Sequence, residues 1–270
     1  EEFDDIFQDV CSRGAFILQK DLQDFEADLE NFLKVKHVFG VADGTNAIYI
    51  GLKALGIGLK DEVIISSHTY VATANAIEMS GATAVFADID ENNLLCPVAT
   101  DLKITDKTKL ILPTQLNGRC ANMDALRLLA KKNNLLLAED SAQGLGACFG
   151  DEFAGTFGAF GTLSFYPAKL IGCFGDGGAI MTNDDELATK IKAIRDHGRD
   201  AKGNVGMWGT NSRLDNLQAA FLRLRLKHFD EDISRRREIA SLYHKGLSDL
   251  RQIKLPPQAS IDSQNFDVFQ

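Results

Sequence analysis

The chain has 270 residues, 45% hydrophobic and 25% charged, the balance of a soluble globular protein with room for one large core, or a large domain and a small one. Its 29 basic and 38 acidic residues leave a formal charge of -9, which argues against non-specific nucleic-acid binding, because that needs a basic surface to displace counterions. No uninterrupted apolar run approaches a membrane span, and nothing at the start reads as a signal peptide.

Leu22, Phe25, Leu29, Phe32 and Leu33 place a helical stripe over residues 21–33. Residues 38–42 (VFGVA) read as a strand, and a helix over about 45–55 stops at Gly56. A second strand at 63–66 precedes a helix that runs to about Ser80 and stops at Gly81. Strands are expected at 84–87 and 110–113, the latter before a helix around 123–132. The run 135–138 (LLLA) is apolar throughout, as in a strand covered on both faces. Segments 162–165 and 179–182 complete the set. Strands alternating with helices imply right-handed crossovers and an α/β fold with a mostly parallel central sheet covered on both faces. From 213 the pattern is helical, with Leu214, Leu217, Phe221, Leu224 and Leu226 apolar, and a second helical stretch follows over 233–250. Leu255-Pro256-Pro257 then breaks into a polar segment. The expected division is a large domain with an N-terminal helical arm at 1–232 and the start of a small C-terminal domain at 233–270. The first residue is not methionine, and 265–270 (NFDVFQ) reads as the middle of a strand, so sequence beyond both ends is expected.

The chemistry gathers in four loops. Asp43-Gly44-Thr45 sits where a strand ends and a helix begins, so free N–H groups and the positive end of the helix dipole can hold a phosphate. Gly44 permits close approach and the Thr45 hydroxyl adds a donor. The plain alternative is a helix cap with a tight turn. Tyr70 follows a strand and can stack on a planar group, although a core tyrosine is the commoner case. His68 has no metal-ligand partner at sensible spacing and reads as structural. Asp140 directly follows a buried strand, which points it into the crevice beyond the strand's carboxyl end, while Glu139 points to the opposite face. Gln143 can donate to a ring oxygen, and both residues have turn roles as alternatives.

The fourth loop is Ser164 to Lys169 (SFYPAK) followed by GCFGDGG. Most lysines are solvated surface residues. Lys169 differs in its apolar flanks, and the neighbouring glycines are expected to leave space for a bulky group. A partly buried lysine has a lowered pKa and becomes a usable nucleophile and proton carrier. Ser164 adds a second phosphate donor. A phosphate cradle, an aromatic lid, a lone carboxylate and a lysine together match the parts of pyridoxal phosphate (PLP). Gly144-Leu145-Gly146 and Gly175-Asp176-Gly177-Gly178 do not fit the strand–GxGxxG–helix fingerprint, which disfavours a nicotinamide enzyme. The five scattered cysteines form no C-x-x-C pair and read as reduced thiols, with no metal site.

In this order, the segments DGTNA, HTYVATANAI, AEDSAQGLGA, SFYPAK, GDGGAIMTN and GTNSRLDNLQAA resemble the sugar aminotransferases of the DegT/DnrJ/EryC1/StrS family. The resemblance covers nearly the whole chain. It implies the aspartate-aminotransferase type of fold and covalent attachment of PLP to Lys169. It also implies Asp140 on the pyridine nitrogen, Gln143 near the ring oxygen, Tyr70 on the ring, and Thr45 with Ser164 at the phosphate. Asn211 resembles the family asparagine that reaches the phosphate of a neighbouring subunit, so a homodimer with shared sites is implied, cytoplasmic as the reduced thiols suggest. The implied reaction moves an amino group from an amino acid, commonly glutamate, to a ketone on a nucleotide-linked sugar, in cell-surface polysaccharide or antibiotic sugar biosynthesis. A branch of the family carries histidine in place of the lysine and runs a dehydration, so Lys169 points to transamination. Tyr166 stands where many relatives have histidine. Alternatives are another PLP reaction on the same fold, a lyase or desulfurase, and a non-catalytic regulator.

Overall fold

The computed structural model describes residues 2–256 and 265–268. In chain order the elements are α1 (Glu2–Arg13), α2 (Lys20–Leu33), β1 (His37–Val41), α3 (Gly44–Leu55), β2 (Glu62–Ser66), α4 (Val71–Ser80), β3 (Thr83–Ala87), α5 (Pro97–Asp101) and β4 (Thr108–Leu112). A 3-10 turn at Leu116–Gly118 leads to α6 (Met123–Lys132), β5 (Leu136–Leu137), β6 (Glu139–Asp140), β7 (Cys148–Phe149), β8 (Glu152–Phe153), β9 (Gly161–Ser164) and β10 (Gly178–Thr182). Three helices, α7 (Asp185–Ile194), α8 (Asn216–Lys227) and α9 (Phe229–Leu247), precede β11 (Asn265–Phe266).

Of the run 135–138, expected to be a single strand, only Leu136–Leu137 form one, and after Ala138 a second short strand follows at Glu139–Asp140. β5 pairs with β4, and β6 pairs with β9, both in parallel. Backbone bonds from Ala138 to Ile111 and from Asp140 to Pro113 keep the segment against β4. It therefore joins two four-stranded arrays into one sheet of order β3-β2-β4-β5/β6-β9-β10-β1. All of these strands run the same way except β10, which is antiparallel to both neighbours. Consequently the neighbouring strands β9 and β10 are joined by a loop beyond the carboxyl end of β9 rather than by a helical crossover, and Lys169 lies in that loop.

The period-two alternation of buried strands decides which layer each residue enters. Val63, Ile65, Leu110 and Leu112 pack with α3 and α7, while Ile64 and Ile111 face α6. A third core lies under α2 and α8, where Phe25, Leu29, Leu163, Phe165 and Met181 meet Phe229, Ile233 and Val268. The return of 265–268 to this core is anchored by the pairing of β11 with β7 and by the Arg119–Asp267 ion pair at 3.6 Å. Pro257 and residues 269–270, used in the sequence reading, lie outside the described residues.

Candidate active site

A cavity of about 710 Å³ opens where the carboxyl ends of β1, β2, β4, β6 and β9 converge, and Gly44, Thr45, Tyr70, Asp140, Gln143, Ser164 and Lys169 all line it. Ligands in α/β sheets favour such ends because loops and helix N-termini gather there. Asn211 is not in this wall. It is exposed, and its backbone bridges Asp196.

The turn at Asp43 is a helix cap. Asp43 Oδ1 accepts from the Asn46 N–H at 2.8 Å, and Oδ2 accepts from Asn46 Nδ2 at 2.6 Å. The N–H groups of Gly44 and Thr45, in the first turn of α3, have no intrahelical acceptor and remain for an anion. Ser164 stands beside them, since a Cβ placed on Gly44 would lie 3.0 Å from Ser164 Cβ. Ser164 Oγ accepts from the Tyr166 N–H at 3.3 Å, so its own proton is available to a further acceptor.

Asp140 is 4% exposed. Its Oδ2 accepts from Thr73 Oγ1 at 2.6 Å and its Oδ1 from the Ala142 N–H at 3.1 Å. Burial raises the Asp140 pKa, opposed by the Thr73 hydroxyl, the Ala142 N–H and the charge of Lys169. Burial lowers the Lys169 pKa, opposed by Asp140. The pair thus shares a low-dielectric pocket in which each charge helps to keep the other. Gln143 Oε1 accepts from the Asn117 N–H at 2.8 Å, which leaves its NH₂ end to donate. Tyr70 is 71% exposed beside the first turn of α4, so it is a rim residue and not a core one.

The loop bearing Lys169 is closed by Phe165 N–H to Gly177 O at 2.8 Å and Cys173 N–H to Phe165 O at 2.9 Å. The expectation that its glycines clear room for a ligand needs correction. A Cβ on Gly172 would sit 2.5 Å from Pro167 O, and one on Gly178 would sit 2.5 Å from the Asp43 carbonyl carbon. These positions let backbone pass backbone. Gly178 thereby seats the Asp43-Gly44 turn against β10. Cys173 is buried, donates to Phe165 O at 3.0 Å, and has its thiol pushed up to about 11 by burial. That makes it a poor nucleophile.

Three threonines escaped the sequence reading. Thr69, Thr73 and Thr114 join through hydroxyls, with Thr69 Oγ1 2.8 Å from Thr73 Oγ1 and 2.7 Å from Thr114 Oγ1. Thr114 follows β4 as Asp140 ends β6, so the same strand-end argument identifies it. Thr73, two residues into a helix, carries no comparable signal.

The sequence profile of the DegT/DnrJ/EryC1/StrS aminotransferase family matches residues 1–269. The chain belongs to this family. It is 42% identical over 251 residues to dTDP-3-amino-3,4,6-trideoxy-alpha-D-glucose transaminase of Streptomyces venezuelae, covering 93% of this chain and 66% of that protein. The crystal structure of S. venezuelae DesV is similar with a TM-score of 0.95 and 40% identity, over 99% of this chain and 72% of that one. NtdA of Bacillus subtilis with bound cofactor PMP is similar with a TM-score of 0.92 and 34% identity, over 99% of this chain and 61% of that one. The chain thus spans about two thirds of the length of the curated relative. The pocket fits PLP on its own terms. A buried carboxylate at the sheet end suits a protonated pyridine nitrogen, the α3 N-terminus with Ser164 suits a phosphate, and a desolvated lysine suits the aldehyde.

Proposed function

We propose that the chain is the cofactor-binding portion of a PLP-dependent aminotransferase, which moves an amino group from an amino acid, glutamate, to a keto group of a nucleotide-linked sugar. The observation that carries this reading is the meeting of Lys169 and Asp140 in one cavity beside the N-terminus of α3. Gly44, Thr45 and Ser164 would hold the phosphate, Asp140 the pyridine nitrogen, Gln143 the ring oxygen and Tyr70 the ring face. PLP, when bound, supplies an electron sink for the pair released from a substrate C–H bond. Lys169 is the one amine among the described residues of the cavity wall. With its pKa lowered by burial, Nζ can take the proton from the α-carbon of the amino donor as general base and, in the second half of the reaction, give one to the sugar carbon that receives the amino group as general acid. The buried Cys173 thiol does not favour a desulfurase.

The relatives' share of chain beyond this one, and the position of Asn211 outside the cavity, support a small domain begun at 233–270 and a homodimer with shared sites. The free thiols of all five cysteines support a cytoplasmic location; among the described residues no helix is long and apolar enough to cross a membrane. The protein supplied with PLP is expected to turn yellow, and Lys169→Ala to lose the covalently bound cofactor's visible band. Glutamate is then expected to bleach the band and release 2-oxoglutarate. Failure to take up PLP overturns the cofactor reading, and uptake without 2-oxoglutarate overturns the amino donor.

A further inference from the structure

We propose that Thr114, Thr69 and Thr73 form a one-directional hydroxyl relay that holds Asp140 as a carboxylate, which makes Thr73 and Thr114 positioning residues for the pyridine nitrogen of PLP. The role toward PLP rests on the function proposed above, whereas the relay itself does not.

The direction follows from counting protons. A threonine hydroxyl has one to donate. Thr73 gives its proton to Asp140 Oδ2 at 2.6 Å, so toward Thr69, 2.8 Å away, it can only accept. Thr69 then spends its proton on Thr73 and must accept from Thr114 at 2.7 Å. Three hydroxyl dipoles are thereby aligned with their positive ends toward the carboxylate, and each polarises the next in a low dielectric. The opposite polarity needs a protonated Asp140 that donates to Thr73. It is disfavoured because the second carboxylate oxygen accepts from the Ala142 N–H at 3.1 Å and Lys169 lies in the same cavity.

The relay is also built into the frame. Thr73 is 0% exposed and Thr114 4%, so water does not readily replace a missing hydroxyl. Thr69 follows β2, Thr73 lies in α4, and Thr114 follows β4 in a segment that bridges Asp140, with Gln115 N–H donating to Asp140 O at 2.9 Å. Three segments must be in register for the chain of bonds to close. Without it, the burial of Asp140 would favour the neutral acid, which cannot hold a ring nitrogen protonated.

The test uses Thr73→Val, Thr73→Ser, Thr114→Val and the Thr73→Val/Thr114→Val double variant. Two readouts are PLP affinity by absorbance titration and the Asp140 carboxyl titration by ¹³C NMR without cofactor, assigned with Asp140→Asn. Thr73→Val is expected to weaken PLP binding by about tenfold, the scale of one hydrogen bond to a charged group, and to move the Asp140 titration to higher pH. Thr73→Ser should keep affinity within about twofold, since it retains the hydroxyl. Thr114→Val should weaken binding less, and its effect should vanish when Thr73 is already valine, because the relay is then cut. Equal effects of Thr114→Val in both backgrounds, or an Asp140 titration that Thr73→Val leaves in place, overturn the relay. If Thr73→Val fails to fold, the comparison of Thr73→Ser with Thr114→Val decides by the same NMR readout, the relay requiring that only Thr114→Val raise the titration. A wild-type protein that binds no PLP defeats the positioning role, while the carboxyl titration still judges the relay.

Discussion

At the residue scale, two adjacent buried carboxylates do different work because a strand turns them to opposite faces. Asp140 enters the cavity. Glu139 enters the frame, where it accepts from Gln115 Nε2 at 2.7 Å, the Gly155 N–H at 2.8 Å and the Phe157 N–H at 2.7 Å. Burial outweighs these bonds and the charge of Arg127, and pushes Glu139 from 4.5 to about 7. Since the folded protein binds this proton more tightly than the unfolded chain, the contribution to stability is full below 4.5 and is lost as pH rises through about 7. Its size is roughly 3 kcal/mol. The melting temperature is therefore expected to fall between about pH 5 and 8, and Glu139→Gln, which cannot titrate, should flatten that fall. A variant whose melting temperature follows pH as steeply as the wild type removes Glu139 from the explanation. The opposite facing of Glu139 and Asp140 was legible from alternation alone. The three N–H donors around Glu139 were not, because they come from segments whose place only the folded chain sets.

At the element scale, helix bounds were the most legible feature. Residues 123–132 match α6, and Gly56 and Gly81 end α3 and α4 in the left-handed conformation, as glycine does at helix ends. α7 was not anticipated, although Asp184 caps it by accepting from the N–H groups of Glu186 and Leu187. The junction between α2, β1 and α7 depends on a buried ion pair invisible in either segment alone. Arg195 Nη1 bonds to Glu26 Oε1 and, at 2.9 Å, to Gly40 O, while the same Glu26 oxygen accepts from the Gly40 N–H at 2.8 Å. Arg195→Met strands the Glu26 charge and is expected to cost about 3–5 kcal/mol. Adding Glu26→Gln should return part of the loss, and denaturant midpoints of the two variants measure it. Gly178 works at the same scale. Gly178→Ala drives a Cβ to within 2.5 Å of the Asp43 carbonyl, so it should weaken PLP binding by about tenfold or more without altering a residue of the cavity wall. Affinity equal to wild type would show that the α3 N-terminus does not hold the phosphate.

At the scale of the whole molecule, the sheet order brings together loops far apart in sequence, and its antiparallel β10 carries the Lys169 loop back to the cavity. The proposed homodimer is checked by sedimentation velocity, which should give a dimer at micromolar concentration. Exposed Phe174 and Trp208, at 68% and 87%, should lose accessibility to solvent on association, and a protein that stays monomeric removes the shared site. The family, the strand–helix alternation and the loops that line the cavity were readable from the chain alone, because each loop is a short segment whose chemistry rests on neighbours in the chain. Asp43 caps α3 by local geometry, and Asp140 faces the crevice by local alternation. Tertiary structure alone decided what surrounds those loops. Thr73 reaches Asp140 across 67 positions and Thr69 reaches Thr114 across 45, while Gly178 supports a turn on another strand. Such contacts are set by strand order and layer packing, which no short segment encodes, and they are what hold a buried carboxylate charged where a pyridine nitrogen would need it.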